Sequence, residues 1–100
     1  MNKYERDMLK KEMNEIERNM CYTTAAAHYD NGDYSAAISE CSTGISKGTL
    51  DARVYNIRAY SYIQQGEILK ARLDFDTSLK LDPADSEIRG FRDTLKSKGY

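Results

Sequence analysis

The sequence predicts an all-α fold, an α-solenoid of antiparallel helix pairs. Three observations carry this expectation. One proline and six glycines in 100 residues leave long stretches free of helix breakers. Apolar residues recur at spacings of three and four, the period of a helix and not of a strand. Residues of like character also recur 34 positions apart: Ala25 with Ala59, Gly32 with Gly66, Ala37 with Ala71, Cys41 with Phe75, and Ile45 with Leu79.

The first element follows from what is missing. Residues 2–20 contain neither glycine nor proline, and no breaker precedes Gly32. One helix is expected from about Lys3 to Asp30, near ~40 Å long at ~1.5 Å per residue. Residues 1–17 of it form a helical extension that the repeat does not explain. Leu9, Met13, Ile16 and Met20 fall at spacings of 4, 3 and 4, a short heptad-like seam of coiled-coil type. Tyr4 and Met8 add a second apolar strip beside it, and Glu5, Lys10, Lys11, Glu12, Glu15 and Glu17 cover the rest. Two arrangements fit this pattern. The helix folds back or stacks on the first unit and caps the solenoid, or it projects and pairs with another chain, which predicts a homo-oligomer. Repeat stacks need roughly three units for stability, so something must cover the ends of a chain with two units and a half. A methionine-rich seam suits adaptable contacts.

The first repeat unit is expected over 18–51, its first helix ending near Asn31 and its second running from Tyr34 to Lys47. Gly32 permits the left-handed backbone of a tight helix-to-helix turn. Gly44 and Gly48 are read as isolated stops. The second unit spans 52–85, with Asp51 as N-cap of its first helix and Pro83 following its second. Alanines occupy the helix crossings, where only small side chains let two backbones approach. Tyr34, Ile38, Cys41 and Ile45, then Ile68, Leu73, Phe75 and Leu79, are expected to fill the space around them. A last helix, about Ser86 to Lys98 within 86–100, carries Ile88, Phe91 and Leu95 at i, i+3, i+7, the pattern of an amphipathic cap. The whole is one domain.

These residues carry a resemblance. Tyr55-Asn56-Ile57-Arg58-Ala59-Tyr60-Ser61-Tyr62, Gly66-Glu67, Ala71, Phe75 and Leu79-Lys80-Leu81-Asp82-Pro83 resemble a tetratricopeptide repeat of the chaperone-adaptor kind. Ala25 to Tyr34 with Ala36-Ala37-Ile38 resembles it too, although that unit ends Gly44-Ile45-Ser46-Lys47-Gly48-Thr49 without the usual proline. With the cap, the likeness covers roughly residues 18 to 98. It implies a right-handed solenoid with a concave groove lined by the first helix of each unit. Transferred at the 34-residue offset, the groove receives Asn19, Tyr22, Ala26 and Tyr29 from the first unit and Arg53, Asn56, Tyr60 and Ile63 from the second, with Glu87 joining from the cap. Tyrosine offers large contact area at low side-chain entropy cost. Some tyrosines pack between helices instead: this is expected of Tyr55 and Tyr62, while for Tyr22, Tyr29 and Tyr60 both roles stay open.

The resemblance also implies a test of ligand type. The family's best-known activity clamps the acidic C-terminal carboxylate of heat-shock chaperones with two lysines, two asparagines and an arginine. The matching positions here read Tyr22, Ala26, Ile57, Glu87 and Phe91, so none of the five is retained. Asn56 and Arg58 flank the position of the expected asparagine but are turned about 100° to either side of it around the helix. The departure implies that any ligand is more apolar or aromatic, or that the groove holds the protein's own partner helix.

Other chemistries find little support. Fifteen basic residues against 16 acidic ones give no global field for nucleic acid or an anionic membrane, and Arg53 is the single cation of the expected inner wall. No run of about 18 apolar residues occurs, and the charged start Met1-Asn2-Lys3-Tyr4-Glu5-Arg6 lacks the apolar stretch of a secretory signal. His28 is the one histidine, and Cys21 and Cys41 make neither a CxxC pair nor a disulfide framework, so no metal site, catalytic residue or cofactor is expected. Reduced thiols suit a cytoplasmic chain. Asp74, Asp76, Asp82 and Asp85 read as a solvated acidic face without the glycine of a calcium loop. The function expected is a non-enzymatic adaptor or scaffold, co-chaperone-like, that binds a protein or peptide partner; the alternative is an assembly module driven by the N-terminal helix.

Overall fold

The computed structural model describes residues 1–100 as five helices and no strand: α1 (Lys3–Asp30), α2 (Tyr34–Ser46), α3 (Ala52–Gln64), α4 (Ile68–Leu81) and α5 (Ser86–Ser97). The all-helical solenoid is therefore present. Short side chains start most of the helices by accepting a hydrogen bond from an otherwise unpaired backbone N–H. Asn2 Oδ1 accepts from Glu5 N, Asp33 from Ala36 N, Asp51 from Arg53 N and Asp85 from Ile88 N.

The two interhelix turns repeat bond for bond. Gly32 N donates to Tyr29 O and Asp33 N to His28 O, while 34 residues later Gly66 N donates to Ile63 O and Glu67 N to Tyr62 O. Gly32 and Gly66 take φ of 77° and 78°, the left-handed region that costs a residue with a Cβ about 1–2 kcal/mol. Turns this short force α1 against α2, and α3 against α4, as antiparallel pairs.

Each pair has its own small core. Cys21, Ala25, Cys41 and Val54 form one, with Tyr22, Ile45 and Ile57 against it. Ala59, Ala71, Phe75, Leu79 and Ile88 form the other. The four alanines of the repeat, Ala25, Ala37, Ala59 and Ala71, are completely buried, as the helix-crossing argument requires. Ile88 makes α5 a lid on the second core, whereas Phe91 stays half open.

Several expectations need correction. Leu73 is half exposed and is not a core residue. Gly44 is no stop: it lies inside α2 and is buried against Cys21, and Gly48 ends the helix instead. Asp74 and Asp76 are not a solvated face. Asp74 is 5% exposed and takes a two-pronged ion pair from Arg58, with Nη2–Oδ1 2.7 Å and Nε–Oδ2 2.8 Å. Arg58 Nη1 also reaches Ser42 Oγ at 3.2 Å, so one guanidinium on α3 ties α2 to α4. Asp76 pairs with Arg72 and Arg92. Asp85 is partly covered and caps α5.

The N-terminal helix neither folds back nor stacks. α1 is continuous, and every residue from Met1 to Met20 is exposed. The radius of gyration is 15.2 Å, against about 13 Å for a compact chain of this length, and the long axis measures 55 Å. The projecting half of α1 accounts for the excess.

Candidate functional site

The inner face of the stack is built from α1, α3 and the start of α5. Successive groove positions on α1 and α3 are one repeat apart, and the structure joins two of them directly: Arg53 Nη2 donates to Asn19 Oδ1 at 2.8 Å. The Arg53 guanidinium also lies 4.4 Å from the centre of the Tyr22 ring, within cation–π range. Two further N–H groups go to Asp51, Nε to Oδ1 at 3.1 Å and Nη2 to Oδ2 at 2.7 Å, while Nη1 makes no hydrogen bond within the chain. Burial opposes ionisation of Asp51, but the side-chain and backbone hydrogen bonds from Arg53 win and hold its carboxyl below the usual range. The single inner-wall cation is thus already neutralised.

Deeper in, aromatic rings meet. Tyr60 lies 6.2 Å from Tyr29, 5.7 Å from Phe75 and 6.2 Å from Phe91, the last two edge-on. Edge-to-face rings at these distances attract beyond simple area burial. Tyr29 also meets Tyr34 at 5.4 Å. Ala26 is half-buried between these tyrosines in sequence, and Ile63 packs on the second core. Tyr55 and Tyr62 are half-buried on α3, and Arg58 approaches both rings.

A cavity of about 190 Å³ opens among Tyr22, Arg53, Asn56, Tyr60, Asp85 and Glu87, floored by Ile57 and Ile88. It draws together four of the eight groove residues expected from the sequence, together with Glu87. Asp85 was not among them; its role as N-cap of α5 is what brings its carboxylate there. Asn56 keeps a buried Oδ1 that receives no donor. Burial, followed by the charges of Glu87 and Asp85, raises the Tyr60 hydroxyl above its ordinary pKa. The local potential is negative. A larger cleft, about 460 Å³, lies on the other side of α1, between Arg18, Thr24, Thr43 and Lys47 at the end of α2, its lining split about evenly between polar and apolar surface.

The thiols are structural. Cys21 and Cys41 are both buried and unpaired; burial first, then the proximity of Cys21, pushes Cys41 up to about 12. No three His, Cys, Asp or Glu side chains converge as metal ligands. No helix is long and apolar enough to cross a membrane.

Paired antiparallel helices, identical glycine turns one repeat apart and a capping helix over the last pair define a helical-repeat module for protein–protein interaction. The tetratricopeptide repeat family model matches residues 52–85, the α3–α4 pair with its trailing Pro83. Residues 52–85 thus carry a tetratricopeptide repeat. No curated protein matches the sequence.

Proposed function

We propose that the chain is an adaptor whose inner face holds a peptide or helix of a partner protein through an aromatic wall and a pair of carboxylates that take one basic side chain of the partner. The observation that carries this is the cavity among Tyr22, Asn56, Tyr60, Asp85 and Glu87. Its acidic groups outnumber its one cation, Arg53, and that cation is already engaged by Asp51. A lysine or arginine of the partner would meet two carboxylates and a tyrosine face. A partner carboxylate would meet the same two carboxylates and a cation already paired with Asp51. The groove residues Asn19, Tyr22, Ala26, Tyr29, Arg53, Asn56, Tyr60 and Ile63 serve this role together, with Tyr60 doubling as a packing residue.

Selection of peptides from a random library on the immobilised full-length chain tests this reading. Enriched peptides should combine aromatic or apolar residues with one basic residue, and Glu87→Lys and Tyr22→Ala should each weaken them. Both sites are on the surface or half-buried, so thermal unfolding of each variant separates lost binding from lost fold. Enrichment of peptides with acidic C-termini, or unchanged binding by both variants, would refute it.

A further inference from the structure

The projecting half of α1 exposes four large apolar side chains, Leu9, Met13, Ile16 and Met20, at 44%, 60%, 57% and 62% of their full accessibility. At 100° per residue they form one stripe, roughly 130° around the helix from Cys21 and Ala25, which face the body of the protein. The same stripe is roughly 140° from Tyr22, Ala26 and Tyr29 on the groove side. The seam is therefore open to a second helix while the groove stays free. An unsupported helix of this length is marginal in water, so a mate for the stripe stabilises both.

The charges beside the seam identify the mate and its direction. With Met13 and Met20 at a, and Leu9 and Ile16 at d, the flanking e positions are Lys10 and Glu17 and the g positions are Glu12 and Asn19. In a parallel pair, Glu12 of one copy meets Glu17 of the other twice over, and this repulsion offsets any attraction between Glu5 and Lys10. In an antiparallel pair with Met13 opposite Ile16 and Leu9 opposite Met20, each Lys10 meets the Glu17 of the other copy. Glu12 then meets only the neutral Asn19. The stripe is self-complementary in one orientation alone.

We propose that two copies of this chain associate through an antiparallel pairing of their α1 helices over residues 8–21, with Lys10 and Glu17 as reciprocal partners. The overlap is about 21 Å long, so the dimer forms in a concentration-dependent way and leaves two grooves facing outward.

Sedimentation equilibrium of the full-length chain across a dilution series tests this. The parent should shift from monomer to dimer as concentration rises. Met13→Glu and Ile16→Glu, both at exposed positions, should stay monomeric with the repeat body's thermal transition unchanged. Glu17→Lys turns both cross-pairs from attraction to repulsion and should weaken association about tenfold, and Lys10→Glu combined with Glu17→Lys should restore it. A parent that is monomeric at every concentration, or a Glu17→Lys variant that associates more tightly as a parallel pair requires, would overturn the proposal. Neither outcome depends on the groove.

Discussion

Cys21 and Gly44 touch across the α1–α2 crossing so closely that a Cβ on Gly44 would lie 2.5 Å from the Cys21 sulfur. No real Cβ tolerates that distance, and both neighbours are backbone-anchored and buried. Gly44 is helical, so no unusual φ is at issue: the glycine is there for space. Gly44→Ala should therefore destabilise the chain by about 1–3 kcal/mol in spite of alanine's better helix propensity. In a domain of this size that lowers Tm by about 4–8 °C per kcal/mol. The sulfur alone is the obstacle, because the Cys21 Cβ would stand 3.6 Å from the added methyl, an ordinary contact. Cys21→Ala combined with Gly44→Ala should recover most of the loss. If the double variant melts no higher than Gly44→Ala alone, the crossing is not what limits the site.

Arg58 and Asp74 form the second strong coupling. Arg58 projects into the α2–α4 junction, and its guanidinium is mostly enclosed. The hydrogen bonds it donates to Asp74 raise its pKa further, against the opposing effect of burial. Asp74→Ala strands a buried cation and should cost about 3–5 kcal/mol, read as a lower denaturant midpoint. Replacing both residues by leucine should cost far less than the two single substitutions combined, since it removes the desolvation of both charges together. Additive losses in the four-variant cycle would mean that the pair contributes independently and is no network.

The repeat was legible in the sequence because a 34-residue offset ties glycine to glycine and alanine to alanine, and the structure turns those identities into the same hydrogen bonds twice. The Arg58–Asp74 pair was not legible. Both helices carry charges on their wet faces, and a buried ion pair 16 residues apart looks the same in one dimension as two solvated charges. Gly44 misled for a related reason, since glycine signals a stop as readily as a close approach. The family resemblance, transferred at the 34-residue offset, put Tyr22, Arg53, Asn56 and Tyr60 on one wall, and these four line one cavity. Asp85 escaped because capping geometry, not phase, places it there.

Acid should weaken the start of α3, where Asp51 caps the helix and pairs with Arg53. The Asp51 carboxyl titrates below its ordinary value in the folded chain, so its contribution is fully present above the unfolded value of about 3.9 and fades as pH falls through the folded one. Asp51→Asn keeps a capping oxygen but has no charge to lose. The stability difference between parent and variant should be constant near neutrality and shrink below about pH 4. A difference that grows on acidification would reverse the assigned sign.

The thiols offer a readout of how tightly the first pair is closed. Only a thiolate alkylates, and with Cys41 pushed up to about 12 its thiolate fraction at pH 8 is on the order of one part in ten thousand. Burial also bars the reagent from Cys41, while Cys21 is raised chiefly by burial and then by the charge of Glu40. In a Cys21→Ala chain, the remaining thiol should react with iodoacetamide only as fast as α2 opens, and at the free-cysteine rate in denaturant. Adding Gly44→Ala to that background should leave the native rate nearly unchanged, because the methyl occupies the space the sulfur vacated. Asp74→Ala in the same background should accelerate it, since Arg58 then no longer clamps α2 and α4 together. Fast native alkylation of Cys41 at pH 8 in the Cys21→Ala chain would show that the first core breathes too freely for the packing described, and the Gly44 prediction would fall with it.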